Sequence, residues 1–181
     1  MIFTVIAALL LIAGLLTALK LLRRSAEHPA NLMELLDCLE PINVASFRHL
    51  ACEDDDRYLK TNLSRGEYRH LRRLRLRALQ SYYLSAFHNS AVLLSYGDLL
   101  VTQEHPGFAQ FGYEIRSATI QLRLALLGGA VGVWICYFTS FDIPYWRQVT
   151  DRYDQVGLRL SGFCESNFPD LESAVVEHFG V

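Results

Sequence analysis

Between Arg65 and Arg77 the chain sets Arg65, Arg69, His70, Arg72, Arg73, Arg75 and Arg77 around a single acid, Glu67. At about 100° per residue, Arg65, Arg69, Arg72 and Arg73 share roughly 100° of one helix face, with Leu71, Leu74 and Ala78 opposite. Such a face offers guanidinium groups to an anionic partner: phospholipid headgroups, an acidic protein or nucleic acid. Beside it stands a plainer reading, a solvated face neutralised in part by the run Glu53-Asp54-Asp55-Asp56. Those two runs, one turn apart, could pair as a helical hairpin. Nucleic acid is the least expected partner. It rests on the arginine face alone, and the net charge of −2 does nothing to support it.

Catalytic chemistry finds no comparable constellation. His88, Asn89, Asp98, Asp151 and Asp154 are the polar candidates on helices. None has a neighbour at the spacing that nucleophilic, metal or general acid–base work requires. His49 and Cys52 lie a turn apart and precede the acidic run, a grouping that a metal could use. However, Cys38, Cys52, Cys136 and Cys164 show no CxxC or His-paired spacing. Reduced core cysteines in a cytoplasmic compartment are expected instead. Gly128, Gly129 and Gly132 sit in an apolar helical run with no preceding strand and no Lys-Ser/Thr, so they are not a phosphate loop. No catalytic residue, cofactor or metal is expected. The competing expectation is an enzyme or small-ligand protein whose site lies inside a helical bundle, around Tyr82, His88, Asn89 and Tyr96.

These residues need helices to carry them, and the pattern supplies helices throughout. Asn31 is placed to cap a helix with Leu32, Leu35, Leu36 and Leu39 on its apolar face, ended by Pro41. A second short helix runs from Val44 to about Cys52, followed by a polar turn or helix start at Glu53 to Asp56, with Tyr58 and Leu59 packed beneath. Ser64-Arg65-Gly66-Glu67 has the spacing of a capping box. From it a helix of up to about forty residues can run, with Gly97 as a possible end or bend. Its stripe comprises Leu71, Leu74, Ala78, Tyr82, Ser85, Asn89, Val92, Leu93, Tyr96 and Leu100. His105-Pro106-Gly107 reads as a turn.

Residues 108–141 begin amphipathic and end apolar on every face. Ala118, Ala125, Gly129, Gly132 and Cys136 form a small-residue stripe suited to close helix approach. Asp142 can cap a last long helix, with Pro144 in its first turn. Its seam, Trp146, Val149, Tyr153, Val156, Leu160 and Phe163, demands a partner helix. A short helix with Leu171, Val175, Val176 and Phe179 follows Pro169.

The N-terminus adds an address. Ile2 to Leu19 carry no charge, and at 1.5 Å per residue they span about 27 Å, near the thickness of a hydrocarbon core. Lys20, Arg23 and Arg24 follow, with no basic residue before and no Ala-x-Ala site after, the reverse of a secretory signal. The expectation is a signal anchor: residues 1–22 a single transmembrane helix contacting the bilayer through residues 2–22, with its N-terminus outside. Residues 23–30 form a juxtamembrane linker, and 31–181 a cytoplasmic bundle domain at the cell membrane. The apolar run 124–141 is the rival. All Lys and Arg except Arg147, Arg152 and Arg159 lie in residues 20–123, so a two-span hairpin would also satisfy the charge rule. One span is preferred, because a second would strand the 146–163 seam from its partners.

The expectation is therefore an all-α chain: an anchor, then a bundle on three long helices with short ones at either end. Its expected function is membrane-tethered interaction or scaffolding without catalysis, with a protein partner and an anionic lipid contact.

Overall fold

The computed structural model describes residues 28–50, 52–138 and 146–179. Among them every regular element is a helix: α1 (Leu32–Cys38), α2 (Val44–Leu50), α3 (Glu53–Asn62), α4 (Arg65–Val101), α5 (Pro106–Phe138), α6 (Trp146–Asn167) and α7 (Pro169–Phe179). The expected all-α bundle on three long helices is what the chain forms.

Local chemistry sets the helix starts. The Asn31 carboxamide oxygen accepts from the Glu34 N–H at 2.8 Å and opens α1. At α4 the capping box is complete: Ser64 Oγ accepts from Glu67 N–H, and the Glu67 carboxylate accepts from Ser64 N–H at 3.1 Å. The Ser64 hydroxyl also donates to the Glu67 carboxylate at 2.6 Å, and this bond, with the smaller effect of the one from Ser64 N–H, holds the Glu67 carboxyl below its ordinary range. Pro106 occupies the first position of α5, where its missing N–H costs nothing. The reversal expected at 105–107 therefore falls earlier, over Thr102 to His105.

α4 and α5 are an antiparallel pair. At the turn end Gly97 and Gly112 let the backbones meet, and a Cβ on Gly112 would lie 2.8 Å from the Val101 nitrogen and 3.0 Å from the Gly97 oxygen. Gly97 thus does not end α4, which runs on to Val101; it is where the partner approaches. Farther along, Gly129 faces Tyr83, whose hydroxyl would lie 2.2 Å from an added Cβ. Gly132 and Cys136 are buried on the same stretch. α6 then returns antiparallel to α5, with Phe163 stacked on Phe111 at 3.9 Å between centroids. α7 folds back on α6, seating Phe179 against Gly157. The short helices α1 and α2 pack on α4 and bridge to α7 and α6, while α3 packs on α4.

The core runs along these contacts. Val149, Tyr153, Val156 and Leu160 of the α6 seam are buried with Ile115, Leu122 and Leu126 of α5. Each such large apolar side chain contributes about 1.5–3 kcal/mol by leaving water. α4 is buried over a wider arc than its stripe implied, adding Leu76, Leu79, Tyr83, Ala86, Phe87 and Ser90. Conversely, Leu71 and Leu74 are exposed and Tyr58 is 67% exposed, because among the described residues only the short α3 and the end of α2 lie beside that part of α4.

The anchor expected over residues 2–22 lies outside the described residues, as do Asp142 and Pro144. Among the described residues no helix is long and apolar enough to cross a membrane. The rival run 124–141 belongs to α5 as far as Phe138, and its Leu126 and Val133 are buried in the bundle core.

Candidate functional site

The arginine run divides by destination. Arg75 turns inward: its Nε donates to the Leu50 carbonyl, and its Nη2 donates to the carbonyls of His49, at 3.2 Å, and Cys52. Those carbonyls lie at and just after the end of α2, where unpaired acceptors concentrate negative potential. Asp56 of α3 completes the clamp, 3.7 Å from Arg75 and accepting from the Tyr68 hydroxyl at 3.0 Å. Arg75 therefore joins α2, α3 and α4. The pairing of acidic and basic runs read from the sequence does occur, through Arg75 and Asp56; Asp54 pairs with its neighbour Arg57.

The four arginines named for an anionic partner behave differently. Arg65, Arg69 and Arg73 are exposed, and none makes an ion pair among the described residues. Arg72 departs from the expected set, since it is half-buried and engaged with a partner. Arg77, which the four-residue face left out, is exposed and continues the row. The i, i+4 spacing of Arg65, Arg69, Arg73 and Arg77 extends about 18 Å along α4. Beyond it, a groove of about 590 Å³ runs between α3 and α4, lined chiefly by Leu50, Tyr58, Leu59, Leu71, Leu74 and Ala78.

The polar candidates of the bundle interior serve to fasten one segment to another. Asn89 is 1% exposed. Its Oδ1 accepts from the Glu40 N–H at 2.8 Å, and its Nδ2 donates to the Glu40 carbonyl at 2.8 Å and to the Tyr153 hydroxyl at 2.9 Å. His88 Nε2 lies 3.0 Å from the Cys38 carbonyl, an acceptor only, so this nitrogen carries the proton and is not a free base. Together they hold the chain between α1 and Pro41 onto α4. Tyr82 stacks on Phe47 of α2 at 5.4 Å. Tyr96 is buried, and burial, with a smaller effect from Cys164, pushes its hydroxyl up to about 12. It also backs an apolar groove of about 420 Å³ formed with Leu32, Leu99, Phe108, Phe163 and Phe168. The structure thus does not bring Tyr82, His88, Asn89 and Tyr96 together around a reacting centre.

The remaining candidates are also partnered. Asp98 pairs with Arg116 at 3.3 Å, and Asp154 pairs with Arg48 of α2. Burial raises the Asp154 carboxyl despite the opposing effect of Arg48. Asp151 is exposed. His49 and Cys52 offer their carbonyls to Arg75, and among the described residues no group of three or more His, Cys, Asp or Glu could hold a metal. None of the four cysteines forms a disulfide among the described residues; Cys136 and Cys164 are buried and Cys38 and Cys52 half-buried.

Compared with protein families, with curated proteins and with solved structures, the chain matches none.

Proposed function

We propose that this chain is a membrane-anchored helical interaction protein that performs no catalysis. Its anchor is residues 2–22, its N-terminus lies outside, and its bundle meets an anionic partner in the cytoplasm through the arginine row of α4. The supporting observation is that row: Arg65, Arg69 and Arg73 stand exposed on the first part of α4 without ion pairs among the described residues. Stability alone does not call for such repulsion between like charges a turn apart. Engagement of Asn89, His88 and Tyr82 in fastening segments together weighs against the alternative of a site inside the bundle. An anchor would also raise the effective concentration of this surface for partners on the same membrane without any new contact.

Two measurements test the reading. Carbonate extraction should leave the full chain in the membrane, and release into the supernatant overturns the anchor. Orientation is read with an impermeant thiol reagent on intact cells. Cys164 is 0% exposed and unsuitable, so the exposed Ser166 is replaced, Ser166→Cys. Labelling only after permeabilisation is expected; labelling of intact cells overturns the assigned orientation.

A further inference from the structure

The outward face of α5 carries an apolar stripe that the bundle does not cover. Tyr113 is 57% exposed, Ile120 43% and Leu124 63%; Val131 is half-buried, and an added Cβ at Gly128 would meet nothing within 4 Å. Taking Gly129, which faces α4, as reference, these four side chains point roughly 140–180° away, at about 100° per residue. Over a rise of 1.5 Å per residue the stripe is about 27 Å long.

The arginine row has a fixed relation to this stripe. Arg65 precedes Tyr83, the residue that touches Gly129, by eighteen residues, which is five full turns at about 3.6 residues each. It therefore projects from α4 in the direction in which α5 lies. Extending the antiparallel register from Tyr83 and Gly129, the last described residue of α5, Phe138, is level with about residue 74 of α4. Arg65 and Arg69 thus stand beyond the level of Phe138 and project toward the side that the apolar stripe faces, with Arg73 about 80° around α4 from that direction. Arg116 and Arg123 stand along one flank of the stripe. Arg123 has a buried Nε without a hydrogen-bond partner among the described residues.

An apolar helix face bordered by arginine is the composition of a helix lying in a membrane interface, with its apolar side among the acyl chains and its cations at the phosphates. Because α5 stands one helix layer above α4, the longer reach of the arginines brings their guanidinium groups to about the headgroup level when the stripe is immersed.

We infer that the outer face of α5, from Tyr113 to Val131, lies in the interface of an anionic leaflet, with Arg65, Arg69 and Arg73 on its phosphates. This rests on the lipid-facing reading of the arginine row, and it assigns that row a partner surface on another helix. The bundle then lies flat on the membrane.

The test uses the full chain in vesicles of phosphatidylcholine with phosphatidylserine and in phosphatidylcholine alone. A photocrosslinker is placed by Leu124→p-benzoylphenylalanine or, as a control on the exposed side of α6, Glu165→p-benzoylphenylalanine. Lipid adducts are expected at 124 and not at 165. The yield at 124 should fall by about tenfold without phosphatidylserine, and equally with Arg65, Arg69 and Arg73 changed to Gln. Unchanged circular dichroism melting of each variant establishes that the fold is intact. A protein–protein adduct at 124, equal lipid yields at both sites, or no lipid adduct overturns the inference. Carbonate extraction separates the two readings: no adduct from a chain that resists extraction sinks this inference alone, whereas an adduct from a chain that washes off sinks the anchor alone.

Discussion

Asn89 of α4 bridges the main-chain groups of Glu40, accepting from its N–H and donating to its carbonyl, each at 2.8 Å. A third bond, to Tyr153, makes this one carboxamide the meeting point of the α1–α2 connection, α4 and α6. Every polar atom of the Asn89 side chain has a partner, which is why it can sit in the core at all.

Asn89→Ala is expected to lower stability by about 2–4 kcal/mol, because it strands the Glu40 peptide and the Tyr153 hydroxyl as well as deleting bonds. Asn89→Asp should be worse at neutral pH, since a carboxylate cannot donate to the Glu40 carbonyl and would be charged in the core. Urea denaturation followed by circular dichroism checks both, and equal stability of Asn89→Ala and native protein would count against the fastening role.

Arg75→Met is expected to loosen α2 and α3 locally, at a cost of about 1–3 kcal/mol for the lost charged bonds. Lys should not rescue it, since a single ammonium cannot meet carbonyls in the spread that the guanidinium fork reaches. Hydrogen exchange is the discriminating measurement. Amides of residues 49–56 should exchange faster while those around Leu93 and Leu122 keep their protection.

Two glycines of α5 should respond in opposite ways to the same substitution. Gly112→Ala drives a methyl against the α4 backbone and should destabilise the bundle by about 1–3 kcal/mol. Gly128→Ala enters open space on a helix and should stabilise it by up to about 1 kcal/mol. Thermal melting of the two variants checks the sign of each.

Alkaline pH should unfold the protein steeply. Burial raises the hydroxyls of Tyr83, Tyr96 and Tyr153, the last against an opposing effect of the Asn89 bond, and burial pushes the Cys164 thiol up to about 11. A group whose folded pKa exceeds its unfolded value holds its proton longer in the native state. Each therefore contributes stability that is complete below the unfolded pKa and lost as pH climbs through the folded one. For Tyr96 that window runs from 10 to about 12, with a slope near 1.4 kcal/mol per pH unit. Tyr153→Phe should flatten the decline, and tyrosinate absorbance should appear together with unfolding rather than before it.

What could be read from sequence was whatever depends on near neighbours. Ser64 with Glu67, Asn31 with Glu34 and the seam from Val149 to Leu160 declare themselves within one or two turns, and the fold has them all. Arg75 could not be singled out, because its partners are main-chain carbonyls 23 to 26 residues away, and any residue supplies those. Asn89 was visible as a polar residue in an apolar stripe; its partner, the backbone of Glu40, was not. Leu71 and Leu74 misled because helical periodicity marks a face as apolar without saying whether anything covers it. Tyr58 failed for the same reason. The arginine row was legible as a charged face, while its alignment with the outer side of α5 needed the register of Tyr83 on Gly129.

The length of α4 has a mechanical consequence. Ala30, near the start of the described residues, shares a groove with Tyr96, Leu99 and Gln103 near one end of this helix, and Arg69 stands near the other. About 45 Å of continuous helix separates them, stiffened along most of its run by α5. On the proposed reading, a chain held at its N-terminal side and at its arginines would be loaded like a beam on two supports, and would resist rotation where a single tether would let it swivel.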